Sequence, residues 1–374
     1  MDHWPPHVDA EFVTRLRASV ASSVAPFAHE IDRDDRYPAE VVRALAREGY
    51  NTLSLPKKYG GAERPLAWNA AVFEEVSSAS AAVGASLITI YLAQKTIDLY
   101  GTPVAKDRFL PRFAEGLLTS FAMTEASHGS DVHHLDTKAV RTSEGWVLDG
   151  KKSFVTSSSA AELFVILAET ERGVSSFVVP RETPGVSTAL GKGAATFGLR
   201  NGPHLDLALE GVELPTDYLL GEEGRGVKQA ATTLDHSRTL AAAISVGIAR
   251  AAFDGALAFA KGRVAFEKHV IDFQGIQWYF ADMLTEIDAA RLLVYESARA
   301  LDDGREIARF SSEAKLFASR VAAHVAAQAI QICGAQGMLE TAPFGRYLRD
   351  AKAYEIAGGS SEILRNTIAR QLLT

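Results

Sequence analysis

Cysteine is almost missing from this 374-residue chain: Cys333 is the only one. An intrachain disulfide is therefore impossible, and the expected setting is a reducing cytoplasm. An excess of positive charge is missing too. Against 39 Lys and Arg stand 46 Asp and Glu, a formal net charge of −7. No lysine- or arginine-rich stripe suggests nucleic acid or an anionic membrane surface. No uncharged apolar run reaches the roughly 18 residues that a membrane span needs. The opening "MDHWPPHVDAEF" has neither the basic flank nor the apolar centre of a secretory signal. With 47% hydrophobic and 23% charged residues, the composition is that of an ordinary soluble protein large enough for two or three domains.

Three zones differ in texture. Residues 1–118 read as a helical domain, because "DAEFVTRLRASVASSVAPFAHEID" and "PAEVVRALAREGY" place apolar residues three and four apart. Over residues 119–226 the pattern changes to short β-rich runs such as "AELFVILAET" and "VSSFVVP", split by Gly, Pro, Asp and Ser; this predicts an antiparallel middle β domain. Residues 227–374 are helical again and rich in alanine, long enough for a four-helix bundle. Helices, strands and helices in separate blocks indicate α+β rather than a doubly wound sheet.

Five short stretches carry the chemistry. "FAMTEASHGSD" (121–131) is a strand followed by a small-residue turn whose backbone N–H groups could approach a phosphate, although such a turn is more often only a turn. "KSFVTSSS" (152–159) sets an aromatic face beside a hydroxyl at a strand end, which suits a flat heteroaromatic ligand and equally an ordinary core Phe. "GRVAFEKHVIDFQGIQ" reads as a helix–helix turn with a cationic end, and "QICGAQG" (331–337) as a helix closed by Gly334 or Gly337. "GGSSEILR" starts a helix with Ser360 or Ser361 as the cap, a ready anion site.

Taken in this order and at these separations, the stretches resemble the acyl-CoA dehydrogenase family over essentially the whole chain. The family's "TEPxAGSD" is matched by Thr124 to Asp131, and its "W-I-T" by Phe154-Val155-Thr156. "RxxFGxxxxxFQ" is matched by Arg263, Phe266, Phe273 and Gln274, with Glu267 where the glycine belongs. "QxxGGxG" is matched by Gln331, Gly334, Ala335 and Gly337, and "RDAKxYxIxEGTSE" by "RDAKAYEIAGGSSE". The resemblance implies FAD held among the three domains. Phe121, Met123, Thr124, Gly129 and Ser130 would line the cofactor, with Phe154 and Thr156 over its ring and Ser360 and Glu362 at the last helix start. Arg263, Phe266, Gln274, Gln331, Gly334 and Ala335 would reach the cofactor of a neighbouring subunit, which implies a homodimer or tetramer. Ser130, Asp235 and Arg238 match positions near the thioester carrier, CoA or an acyl-carrier protein. No metal is expected. Electrons would pass to an electron-transfer flavoprotein or come from a reductase.

One part of the family pattern is absent. The carboxylate that removes the α-proton stands at one of two places, which here hold Gly358 and Ser237. A general base typically supplies about 10²- to 10⁴-fold. Three readings follow. Dehydrogenation of an acyl thioester can persist with a relocated base, for which Glu355 and His236 are the candidates. The same pocket can run flavin chemistry without α-proton abstraction, as a monooxygenase or oxidase. Or the chain binds flavin without turnover.

Overall fold

The computed structural model describes residues 8–189 and 196–373, so the opening segment "MDHWPPH" lies outside it. Six helices come first: α1 (Ala10–Ser23), α2 (Ala28–Asp34), α3 (Ala39–Arg47), α4 (Leu66–Ala79), α5 (Ala81–Tyr100) and α6 (Pro103–Phe109). Asp9 starts α1 by accepting a hydrogen bond from Glu11 N–H, and Ser80 starts α5 by accepting one from Val83 N–H. Whereas α1 buries one stripe (Phe12, Val13, Leu16, Val20), α4 and α5 are buried nearly all round. They are therefore the inner layer of the molecule.

Eight strands follow: β1 (Thr119–Ala122), β2 (Lys138–Arg141), β3 (Gly145–Val155), β4 (Leu163–Thr170), β5 (Gly173–Pro180), β6 (Val186–Ala189), β7 (Leu205–Pro215) and β8 (Leu219–Leu220). They form one sheet in the order β6-β7-β3-β2-β4-β5-β8, with β1 also paired to β4. The sheet is largely antiparallel, as expected. The exceptions are β1, which runs parallel to β4 from Thr119↔Leu163 to Ala122↔Ile166, and the single parallel pairing of β2 with β4. Parallel neighbours need a long connection, and the whole of β2 and β3 separates β1 from β4. Trp146 and Phe177 meet edge to face at 5.3 Å inside this domain, a contact worth about 0.5–1.5 kcal/mol beyond its area.

The C-terminal part holds α7 (Gly226–Gly262), a small hairpin β9 (Val264–Ala265) and β10 (Lys268–His269), then α8 (Gln274–Asp302), α9 (Ala308–Cys333), α10 (Phe344–Tyr354) and α11 (Ser361–Leu372). Helices α7 to α10 pack as the bundle, and α11 lies against α9. Small residues let α7 close on α4: a Cβ at Gly247 would lie 2.4 Å from the Glu74 carbonyl oxygen. By length and composition α7 and the stretch Ala308–Met338 could cross a membrane. The apolar window of α7 is 78% buried inside the protein, and that of the second stretch 50%, so packing accounts for much of their apolar surface.

The hairpin corrects one expectation. "GRVAFEKHVIDFQGIQ" is not a plain helix–helix turn. Val264 and Ala265 pair with His269 and Lys268, and Phe266 (φ +50°) and Glu267 (φ +67°) make the tip. Two consecutive left-handed residues are what a two-residue hairpin demands, and the glycine that the resembled family pattern carries at position 267 would meet that demand without strain. Glu267→Gly should therefore raise stability by about 1 kcal/mol, measured by urea unfolding; a loss of stability would contradict the turn assignment.

Candidate functional site

The site begins where β1 and β3 end. Register shifts in the β3–β7 pairing, the last between Lys152 and Val155, mark a bulge. There Phe154 takes φ +53° and Ser157 φ +65°. Positive φ in non-glycine residues is costly and clusters at functional sites. The bulge turns the Phe154 ring outward, leaving it 59% exposed, while Thr156 stays half-buried. This strand end is tied to the turn after β1: Ser153 N–H donates to Thr124 O at 2.9 Å, and Ser120 Oγ donates to Thr156 O. Thr89 of α5 donates to Ser157 Oγ at 3.2 Å and accepts at its carbonyl from Thr119 Oγ at 3.3 Å. Phe121, Met123 and Thr124 are half-buried, and Gly129 and Ser130 are exposed, with open space where a Gly129 Cβ would point. Phe121 to Ser130 and Phe154 to Thr156 thus share one wall.

Under this wall, a buried pair was not anticipated from sequence. Lys152 is 0% exposed and its ammonium lies 2.6 Å from the Glu125 carboxylate, which also accepts from the backbone N–H groups of Asp136 and Thr137. Burial pushes the Glu125 pKa up, but Lys152 and these donors outweigh it and leave it below the usual range. Ligand atoms of Glu125, His128 and Asp136 lie within 4.8 Å of one another. The Lys152 ammonium and the two N–H donors already hold Glu125, so the cluster is accounted for as a knot that shapes the turn.

The second half of the site lies where α7, α9 and the α10–α11 break meet. Gly358 (φ +70°) and Gly359 (φ +103°) make the break in left-handed backbone that side-chain-bearing residues avoid. Arg238 donates from Nε to Gly358 O at 3.3 Å and from Nη1 to Asp235 at 2.7 Å. Burial raises the Asp235 carboxyl's pKa, with Arg238 opposing it. Ser237 turns its hydroxyl back to Leu234 O at 3.0 Å. No atom lies within 4 Å of where a Gly358 Cβ would point, so the missing carboxylate leaves open space. Ser360 caps α11, accepting from Ile363 N–H at 3.4 Å. With Glu355, Glu362, Arg320, Lys352 and Arg365 it lines a cleft of about 310 Å³. Lys352 pairs with Glu355 and Arg365 with Glu362, so Arg320 and the helix N-terminus are what favour an anion there.

The two candidate bases differ. Glu355 sits at the end of α10, ion-paired with Lys352. His236 is 8% exposed, and its Nδ1 is buried with no hydrogen-bond partner. Burial, with the Lys95 charge nearby, pushes its pKa down to about 4, so the imidazole is neutral at pH 7.

The remaining sequence-predicted residues form an outlying group. Arg263, Phe266, Gln274, Gln331, Gly334 and Ala335 are all exposed, Phe266 at 90%. They lie at the β9–β10 hairpin, the start of α8 and the end of α9, where Gly334 (φ +56°) closes the helix.

Comparison with known proteins agrees with this architecture. Family models for the acyl-CoA dehydrogenase N-terminal, middle and C-terminal domains match residues 8–117, 120–212 and 224–373. The chain belongs to the acyl-CoA dehydrogenase family. As a member it is a flavin-dependent oxidoreductase by class. It is 33% identical over 375 residues to FadE25 of Mycobacterium tuberculosis, described as a probable acyl-CoA dehydrogenase, covering 98% of this chain and 96% of that one. Among solved structures it matches butyryl-CoA dehydrogenase from Megasphaera elsdenii (32% identity, TM-score 0.95, 100% of both chains). It also matches a chain from work on the electron transferring flavoprotein of Acidaminococcus fermentans (31% identity, TM-score 0.95, 100% of both).

Proposed function

We propose that this acyl-CoA dehydrogenase family member removes two hydrogens from the α,β positions of an acyl thioester, carried by CoA or a carrier protein, with FAD as its cofactor. The observation that supports FAD here is the outward Phe154 ring beside Thr156, set in strained backbone and facing an open, small-residue turn. The cleft at the start of α11, through Arg320 and the helix N-terminus, would take an anionic part of the dinucleotide. When bound, FAD supplies a two-electron acceptor for the β-hydrogen. Phe154 and Thr156 would flank its ring, and Gly129, Ser130, Ser360 and Glu362 would hold the remainder of the cofactor. Asp235 and Arg238 orient the thioester beside the Gly358 opening. His236, in the tautomer with its proton on Nε2, would accept the α-proton at Nδ1 as the α,β double bond forms, because Nδ1 has no partner while Glu355 is held by Lys352.

The exposed group around Phe266, together with Trp278 (61%) and Leu292 (70%) on α8, supports a homodimer or tetramer in which this face meets a second copy. The likeness to the chain from the Acidaminococcus work supports an electron-transfer flavoprotein as acceptor.

The deciding experiment is an anaerobic titration of the purified yellow protein with butyryl-, isobutyryl-, glutaryl- and long-chain acyl-CoA, following flavin absorbance near 450 nm. Full bleaching by one class is the expected result. Bleaching by none, with O₂ uptake once reduced flavin is supplied, would replace dehydrogenation by monooxygenation. Protein that stays colourless after incubation with FAD would remove the flavin assignment.

A further inference from the structure

Lys315, on α9, is a fully buried cation that the dehydrogenation chemistry above does not use. Its side chain is 0% exposed, and its ammonium donates to Gly359 O at 2.7 Å. Among the described residues no carboxylate lies within ion-pairing distance of it. A buried lysine held by a carbonyl rather than an acid is expensive, so its placement needs a reason. That reason lies in what it holds. The carbonyls of Gly358 and Gly359 are consecutive, and each accepts from a cation on a different helix: Arg238 of α7 and Lys315 of α9. With both glycines in left-handed backbone, the break has little conformational preference of its own. Two side chains from the bundle fix its course, and hence the start of α11 with Ser360 and Glu362.

We propose that Lys315 is a positioning residue, pinning the Gly358–Gly359 break so that the opening at Gly358 and the N-terminus of α11 face the cofactor and thioester. Charged groups act on it from three elements: Arg238 on α7, Glu355 at the end of α10, and Glu362 on α11. Asp235 is linked to the cluster through Arg238 and lies 3.5 Å from Ser311 on α9 itself. Burial and Arg238 push the Lys315 pKa down to about 7, with Glu355 and Glu362 opposing. The pin is therefore a charge-assisted bond below neutrality and a weaker amine–carbonyl bond above it.

The role of Lys315 is tested without reference to turnover or cofactor. Hydrogen–deuterium exchange of the full chain is followed by mass spectrometry at pH 6 and pH 8, corrected for intrinsic rates. The segment read is 357–363, where Ser361 N–H bonds Glu355 O at 3.0 Å. Wild-type protection should fall about tenfold from pH 6 to pH 8. Lys315→Met should be poorly protected at both values. Lys315→Arg, which keeps the charge and does not titrate there, should be protected at both. Protection in Lys315→Met within about twofold of wild type at both values would overturn the proposal, as would survival of the pH step in Lys315→Arg. If Lys315→Met does not fold by far-UV circular dichroism, the arginine variant decides alone. A protein that shows the step yet retains no FAD would keep the pin and lose the flavin reading, so the two failures are separable.

Discussion

His236→Asn should slow flavin reduction by the best thioester substrate about 10²- to 10⁴-fold, while Glu355→Gln should change it less than about tenfold. The contrast follows from what each group already holds. The Glu355 carboxylate is engaged by Lys352, whereas His236 Nδ1 is buried and without a partner. A buried acceptor without a donor carries a desolvation cost of about 1–3 kcal/mol, which a substrate proton can relieve. The same residue predicts an acid signature. Its folded pKa is depressed from 6.5 to about 4, so between those values the unfolded chain binds a proton that the folded chain does not. Stability from this group is complete above about 6.5, declines as pH falls from there to about 4, and levels off below, a total of about 3 kcal/mol. His236→Asn should flatten that limb of the stability curve. Equal rates in His236→Asn and wild type would end its role as base, and an unchanged acid limb would contradict its burial.

Several of these residues were legible before the structure and others were not, for physical reasons. Strand ends and caps are local matters. A serine cap, a glycine helix stop and the break at Gly358-Gly359 follow from nearest-neighbour backbone chemistry; of the alternatives the sequence left open, the structure takes Ser360 over Ser361 and Gly334 over Gly337. The hairpin at Val264–His269 was hidden because its tip is Phe266-Glu267, residues that do not advertise left-handed backbone. Parallel pairing of β1 with β4 was hidden because register between distant strands is a tertiary fact. Buried cations were the largest omission. Lys152 sits between exposed Lys151 and buried Ser153 in a strand that reads as half-polar. The signal for Lys315 was present: in "SSEAKLFASR" it shares one helix face with Ser311, Ala318 and Ser319, all buried. A lone lysine on a stripe of small residues indicates a ligand for its ammonium, but only the fold shows that the ligand is Gly359.

Arg250→Met should destabilise the protein by about 3–5 kcal/mol, the usual result of removing one partner from a buried ion network. Arg250 lies on α7 at 8% exposure and reaches Glu74 at 3.0 Å and Glu75 at 2.6 Å, both on α4. Arg291 of α8 holds Glu74 from another side at 2.6 Å, and Arg17 of α1 holds Glu75 at 3.0 Å. Burial works against the Arg250 charge, and Glu74 and Glu75 outweigh it, leaving its pKa raised. Four helices, from both the N-terminal and C-terminal parts, therefore meet at two carboxylates that are 1% and 3% exposed. Methionine matches the aliphatic stem but leaves Glu75 with Arg17 alone, and Arg17 is 40% exposed and so a screened partner. The loss should appear as a lower urea midpoint, and Arg250→Met combined with Glu75→Gln should recover part of it by removing the uncompensated charge. A loss under about 1 kcal/mol would mean that water or rearranged arginines satisfy the carboxylates, and the network would then no longer explain how α4 is fixed between α1, α7 and α8.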